Sequence, residues 1–179
     1  SRREAPSRDG RRPLRAPPVV RFVLVDQFLS VEPGRGVTAR KTFRPEDPVF
    51  ADHFPGFAIV PGVLLTESMG QAAGWAIATK VGPDRFPILM MVERAKFRRL
   101  VHPGDEIRLE ADLEETREDV WTARTRASVG DERVADARLV FHLVSRPSDS
   151  AGFDGWRAGV LRETGLGRLV ETVLSSTAE

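Results

Sequence analysis

A chain of 179 residues with 41% apolar and 30% charged positions is long enough for one domain with a proper core, and its composition is that of an ordinary globular protein. A formal net charge of +1 excludes a whole-molecule electrostatic grip on nucleic acid. Without cysteine there can be no disulfide, thiolate metal site or cysteine nucleophile, and three scattered histidines argue against a metal centre.

The first eighteen residues hold six arginines, four prolines and one leucine, a composition that cannot bury enough surface to order itself. We therefore expect a basic disordered tail over 1–18, a folded domain over 19–146 and a helical extension over 147–179. No apolar run reaches membrane-spanning length and no secretory leader opens the chain, which implies a soluble cytoplasmic protein. From Val19 to Glu32 the chain is rich in Val and Phe and stops at Pro33-Gly34, a strand ended by a turn. Gly36 to Phe43 reads as its hairpin partner. A Pro/Gly-rich loop then runs to Pro61.

The stretch from about Gly62 to Lys80 predicts a helix closed by Gly82-Pro83. It is apolar on almost every side, from Val63, Leu64 and Leu65 through Met69, Ala72 and Ala73 to Trp75, Ala76 and Ile77, and so belongs inside a core. Glu67 sits near its start, where an unpaired ionised carboxylate is costly. His53 stands in the loop ahead of it. Beyond the helix the period becomes two. Ile107, Leu109, Ala111 and Leu113 alternate with charged residues; Trp121 to Val129 and Ala135 to Leu143 repeat the pattern around the Gly130-Asp131 turn. A long antiparallel sheet with one buried helix is an α+β architecture of the hot-dog type, the sheet wrapped around the helix. Gly70, Ala72, Ala73 and Gly74 are small enough to let the sheet approach. Trp156 to Leu174 is amphipathic and reads as one broken or two short outer helices.

The segment HFPGFAIVPGVLLTESMGQAAG, starting at His53, resembles the signature of hot-dog β-hydroxyacyl-[acyl-carrier-protein] dehydratases of the FabZ type. A second block, ERAKFRRLVHPGDEIRLEADL, resembles that family's later segment in the same order, and the likeness covers roughly residues 20 to 145. Departures are local. Asp52 stands where the family usually has Gly, and Ala58 where it has Pro. The chain has no tyrosine to serve as the family's gate, so Phe86, Pro87 or Ile88 must line that region.

The resemblance implies dehydration of 3-hydroxyacyl-[acyl-carrier-protein] thioesters to trans-2-enoyl thioesters, in fatty-acid or related lipid and polyketide biosynthesis, without cofactor or metal. His53 suits the base, since imidazole titrates near neutrality. Glu67, on an apolar wall, suits the proton donor to departing water. The N–H groups of Gly62 and Val63 at the helix N-terminus can hold the thioester oxygen, with Ile59 beside them in the substrate site. Gln71, one turn past Glu67 on the same face, can orient it. Phe97 reads by alternation as a core residue flanked by Arg94, Lys96, Arg98 and Arg99. Those cations read either as a solvated face or as a basic rim suited to an acidic acyl carrier protein, Lys96 and Arg98 sharing one strand face. The family further implies a homodimer, with His53 of one subunit facing Glu67 of the other; whether such dimers stay single or assemble into a trimer of dimers the sequence leaves open. The rival readings are a hot-dog acyl thioesterase and a non-catalytic acyl-binding subunit. A dehydratase that also isomerises its product is disfavoured by Glu67, because isomerising members carry Asp there.

Overall fold

The computed structural model describes residues 22–117, 119–146 and 151–176. The basic tail, the first residues of the expected opening strand and the 147–150 junction lie outside the described residues. In chain order the elements are β1 (Gln27–Glu32), β2 (Gly36–Thr42), α1 (Val49–Asp52), α2 (Gly62–Val81), β3 (Arg85–Phe97), β4 (Glu106–Arg117), β5 (Val120–Val129), β6 (Glu132–Ser145), α3 (Ala151–Glu163) and α4 (Leu166–Ser176). The strands form one six-stranded antiparallel sheet in the order β1-β2-β4-β5-β6-β3.

The period-two residues of β4, β5 and β6 make the inner face. Ile107, Leu109, Ala123, Ala127, Ala135 and Leu139 are wholly buried beneath α2, whose Ala73, Ala76 and Ile77 are equally inaccessible. The small residues of the helix lie against the sheet: a Cβ at Gly70 would make ordinary contact with Leu139 at 3.7 Å, and one at Gly74 with Phe141 at 3.6 Å. Gly82, at φ 83°, ends α2 and donates its N–H to Ala78 O at 3.2 Å. The expected helix and the alternating strands therefore stand as read.

Three expectations need correction. β1 begins at Gln27, because the Leu24 N–H and the Phe22 carbonyl bind the Gln71 side chain rather than a neighbouring strand. Phe97 is 49% exposed and Val63 is 74% exposed, so neither is core. Phe97 ends an edge strand, and its ring lies over Gly62 at the start of α2, where a Cβ would meet Phe97 Cζ at 2.9 Å. Arg98 lies beyond the end of β3, so it does not share a strand face with Lys96. The C-terminal stretch is two helices broken at Gly165, φ 76°, with α4 lying against β1 and α3 packing its aromatic residues near the C-terminal half of α2.

Candidate active site

The loop from His53 is shaped by its own residues. Pro55 and Gly56 occupy the centre of a turn closed by Phe57 N–H to Phe54 O at 2.9 Å, with Gly56 at φ 81°, the position of such a turn that demands glycine. Val60 N–H then donates to Val101 O at 2.7 Å, tying this loop to the second motif. In that motif His102 N–H is capped by Asp105 at 2.9 Å, a turn-forming role. His53 Nδ1 lies 3.2 Å from Ile59 O. A carbonyl can only accept, so Nδ1 carries a proton, and in the neutral imidazole the lone pair is then on Nε2. Ile59 thus acts on the histidine through its backbone.

Glu67, Gly70, Gln71, Gly74 and Trp75 follow helical spacing and form one stripe of α2. That stripe is one wall of a cleft of about 240 Å³, completed by Phe22, Val23, Phe86, Pro87, Leu89, Phe141 and Trp156. Phe86 and Pro87 line it, whereas Ile88 does not and is exposed. Gln71 Nε2 donates to Glu67 Oε1 at 2.9 Å, while Gln71 Oε1 accepts the Leu24 N–H at 2.7 Å. The backbone donor fixes which way the amide points, so its NH₂ must face the carboxyl. Glu67 is left with its second oxygen unbound by any described protein group, at the head of an otherwise apolar cleft.

Helix α2 has no side-chain N-cap. Leu64 and Leu65 N–H turn back to Pro61 O, whereas the Gly62 and Val63 N–H groups meet no acceptor among the described residues. They form a donor pair at the positive end of a twenty-residue helix. His53 is not among the residues of the cleft that holds Glu67. One chain therefore presents the acid with its cleft, and separately a histidine loop beside a free N–H pair.

The four cations of the expected rim differ from one another. Arg98 is paired with Asp136 and Arg99 with Glu132. Arg94 and Lys96 have no carboxylate partner among the described residues. Sequence reasoning overlooked Phe22, Leu24 and Trp156. The first two could be found only through Gln71; the last needed the placement of α3. No group of His, Asp and Glu among the described residues could hold a metal ion, and no described helix is long and apolar enough to cross a membrane.

Residues 17–138 match the family model described as a FabA-like domain. The 3-hydroxyacyl-[acyl-carrier-protein] dehydratase FabZ of Symbiobacterium thermophilum is 41% identical over 126 residues, 69% of this chain and 87% of that protein. Its counterpart in Pelotomaculum thermopropionicum is 42% identical over 123 residues, 67% of this chain and 86% of that protein. The chain belongs to the FabZ-type dehydratase family. Among solved structures it is similar to the fluoroacetyl-CoA thioesterase FlK, with a TM-score of 0.56 at 15% identity over 75% of this chain and 98% of that one. At that identity the likeness concerns the hot-dog fold alone. The FabA-like match ends at residue 138, within β6, so helices α3 and α4 lie outside the matched residues.

Proposed function

We propose that this FabZ-type chain removes water from 3-hydroxyacyl-[acyl-carrier-protein] thioesters to give trans-2-enoyl thioesters, within fatty-acid or related lipid and polyketide biosynthesis. The observation that carries the reading is Glu67, held by Gln71 at the head of an apolar cleft on a helix entered through a His-Phe-Pro-Gly loop. His53 Nε2 takes the proton from the α-carbon, and the electron pair left there becomes the C2–C3 double bond. The C3–O bond breaks, and the hydroxyl leaves as water with the proton from Glu67. The Gly62 and Val63 N–H groups hold the thioester oxygen while it carries enolate charge, a contribution of about 3–4 kcal/mol per well-placed donor. Protons pass back from His53 to Glu67 through solvent, restoring both.

The complete site is that of a homodimer, the His53 loop of one subunit closing over the Glu67 cleft of the other. Two observations support this. His53 is absent from its own chain's Glu67 cleft. Moreover, β3 is a thirteen-residue edge strand with Ile88, Met90, Met91 and Val92 exposed, Met90 by 65%, and Phe54, Phe57 and Val63 are exposed as well. An unprotected apolar edge of that length is a liability unless another strand covers it, and a second copy's β3 supplies one. Arg94 and Lys96 form the entry rim for the acidic carrier. The assembly works in the cytoplasm and needs no cofactor.

The test is incubation of purified protein with 3-hydroxyacyl and 2-enoyl carrier-protein thioesters. Interconversion, followed by the absorbance of the conjugated enoyl thioester, is expected. Release of free thiol in its place identifies a thioesterase, and carrier binding without turnover a non-catalytic subunit.

A further inference from the structure

The cleft that begins at Glu67 ends on aromatic rings, and one of them, Trp156, comes from outside the residues matched by the family model. Trp75 of α2 lies with its ring centroid 5.5 Å from that of Trp156 of α3. Phe86 of β3 stands edge-on to both, at 6.2 Å and 6.3 Å, and Phe153 backs Phe86 at 5.1 Å and Trp156 at 5.6 Å. Beyond Trp75 lies a second hollow of about 250 Å³, between the C-terminal end of α2 and helices α3 and α4, its apolar side made by Ala78, Leu161 and Val170 and its rim by Arg157 and Glu171. Trp75 belongs to the walls of both hollows, and Trp156 stacks against it from the cleft side. The two indoles are a partition between one apolar space that starts at the acid and another that nothing in the proposed chemistry uses.

We infer that the Trp75–Trp156 partition is the end wall of the acyl site, and that helix α3 thereby restricts this enzyme to medium-length acyl chains. The inference rests on the reading of the cleft as the acyl site. From Glu67 to Trp75 the helix rises about 12 Å, at about 1.5 Å per residue. With C–C bonds of about 1.5 Å at tetrahedral angles, an extended chain covers that length in roughly eight to ten carbons beyond C3, whose hydroxyl faces Glu67, so that an acyl chain of about eleven to thirteen carbons fills the path. Gly70 and Gly74 keep the floor of the path clear of side chains, and Leu89 and Phe141 give it apolar walls. A longer chain must either bend back toward the mouth or push past buried Trp75 or past Trp156, which is 44% exposed on its outer side but held on its inner side by three aromatic rings. Removing Trp156 opens the end of the path toward solvent and toward the second hollow, where a longer tail finds apolar surface.

The experiment compares wild type, Trp156→Ala and Trp156→Phe, each checked by thermal melting, on 2-enoyl-[acyl-carrier-protein] substrates of eight and fourteen carbons. Wild type is expected to prefer the shorter substrate. Trp156→Ala should raise the ratio of kcat/KM for fourteen over eight carbons at least tenfold, and Trp156→Phe should stay near the wild-type ratio. An unchanged ratio in Trp156→Ala, or an equal fall for both substrates, overturns the inference. Equilibrium binding of S-octanoyl and S-tetradecanoyl pantetheine gives the same comparison without turnover. A protein that hydrates neither enoyl substrate defeats the dehydratase reading, yet the ratio of the two Kd values still decides the end wall: a shift toward the longer thioester in Trp156→Ala upholds it, and an unchanged ratio overturns it.

Discussion

Gln71 donates to Glu67 at 2.9 Å with an amide whose orientation is set from behind by the Leu24 N–H. The carboxyl proposed to give up its proton is therefore aimed by a side chain that is itself anchored to backbone. Gln71→Leu keeps the volume and the helix but leaves the carboxyl to choose its own rotamer, and it strands the Leu24 donor. Loss of a positioned hydrogen bond of this kind is expected to lower kcat about tenfold or more with little change in KM, since misplacement of a reacting group is felt in the transition state. Steady-state kinetics on a single enoyl thioester check it; a rise in KM at constant kcat would show that Gln71 serves binding instead.

Gly62 must be glycine for a reason that lies elsewhere in the chain. A methyl there would stand 2.9 Å from the Phe97 ring. Gly62→Ala is expected to cost about 1–3 kcal/mol of stability, the usual penalty for overpacking, and to disturb the N–H pair proposed to hold the thioester oxygen. Phe97→Ala in the same chain should restore most of the melting temperature. If the double variant melts no higher than Gly62→Ala, the ring is not what excludes the methyl.

Gly70 presents the opposite case. Its Cβ would make only ordinary contacts, 3.7 Å to Leu139 and 3.9 Å to Leu89, in the middle of a helix where glycine is about 1 kcal/mol worse than alanine. Gly70→Ala should raise the melting temperature by a few degrees while narrowing the cleft beside Glu67, so kcat/KM falls as stability rises. A variant that is both more stable and fully active would show that substrate does not pass over Gly70.

What could be read from the sequence divides along physical lines. The strands from Ile107 to Leu143 were legible because each has one wet and one dry face, and α2 because it is apolar all round. The first half of β3 was not. Irregular register between Leu89 and Met91 and between Val92 and Arg94 breaks its alternation, and its Met and Val side chains are exposed on an edge. Phe97 misled for the same reason: alternation assigns a face, but not whether anything covers it. The Glu67–Gln71 bond follows from helical spacing alone. The Trp75–Trp156 contact joins residues far apart in the chain, and no local pattern brings α3 to the cleft.

The proposed sharing of the site between subunits makes a sharp expectation for mixtures. His53→Ala and Glu67→Gln should each lower turnover at least a hundredfold, the range for a positioned acid or base. Mixed under conditions that allow subunit exchange, they should regain activity, because each heterodimer holds one site with both residues intact and one with neither. Recovery is limited by the fraction of heterodimer and by its single working site. Demonstrated exchange with no recovery would place both residues in one chain and remove the dimer from the mechanism.

The rim cations can be separated by their partners. Arg98 is bound to Asp136 and Arg99 to Glu132, so the charges free to meet an acidic carrier are those of Arg94 and Lys96, two residues apart on β3. Exposed charges act chiefly on encounter, and their reach shrinks from about 30 Å at 0.01 M salt to about 8 Å at 0.15 M. Reversing both to Glu should therefore raise KM for carrier-protein thioesters severalfold at low salt and much less at physiological salt. It should leave kcat nearly unchanged, because neither side chain belongs to the cleft. A pantetheine thioester, which has the reactive group without the acidic protein, should be almost indifferent to the change. Arg98→Ala serves as the contrast: it breaks an exposed ion pair worth about 0.2–1 kcal/mol, so it should shift melting slightly and carrier KM hardly at all. Equal losses on carrier and pantetheine substrates in the double reversal would mean that Arg94 and Lys96 support the fold around β3 and do not steer the carrier.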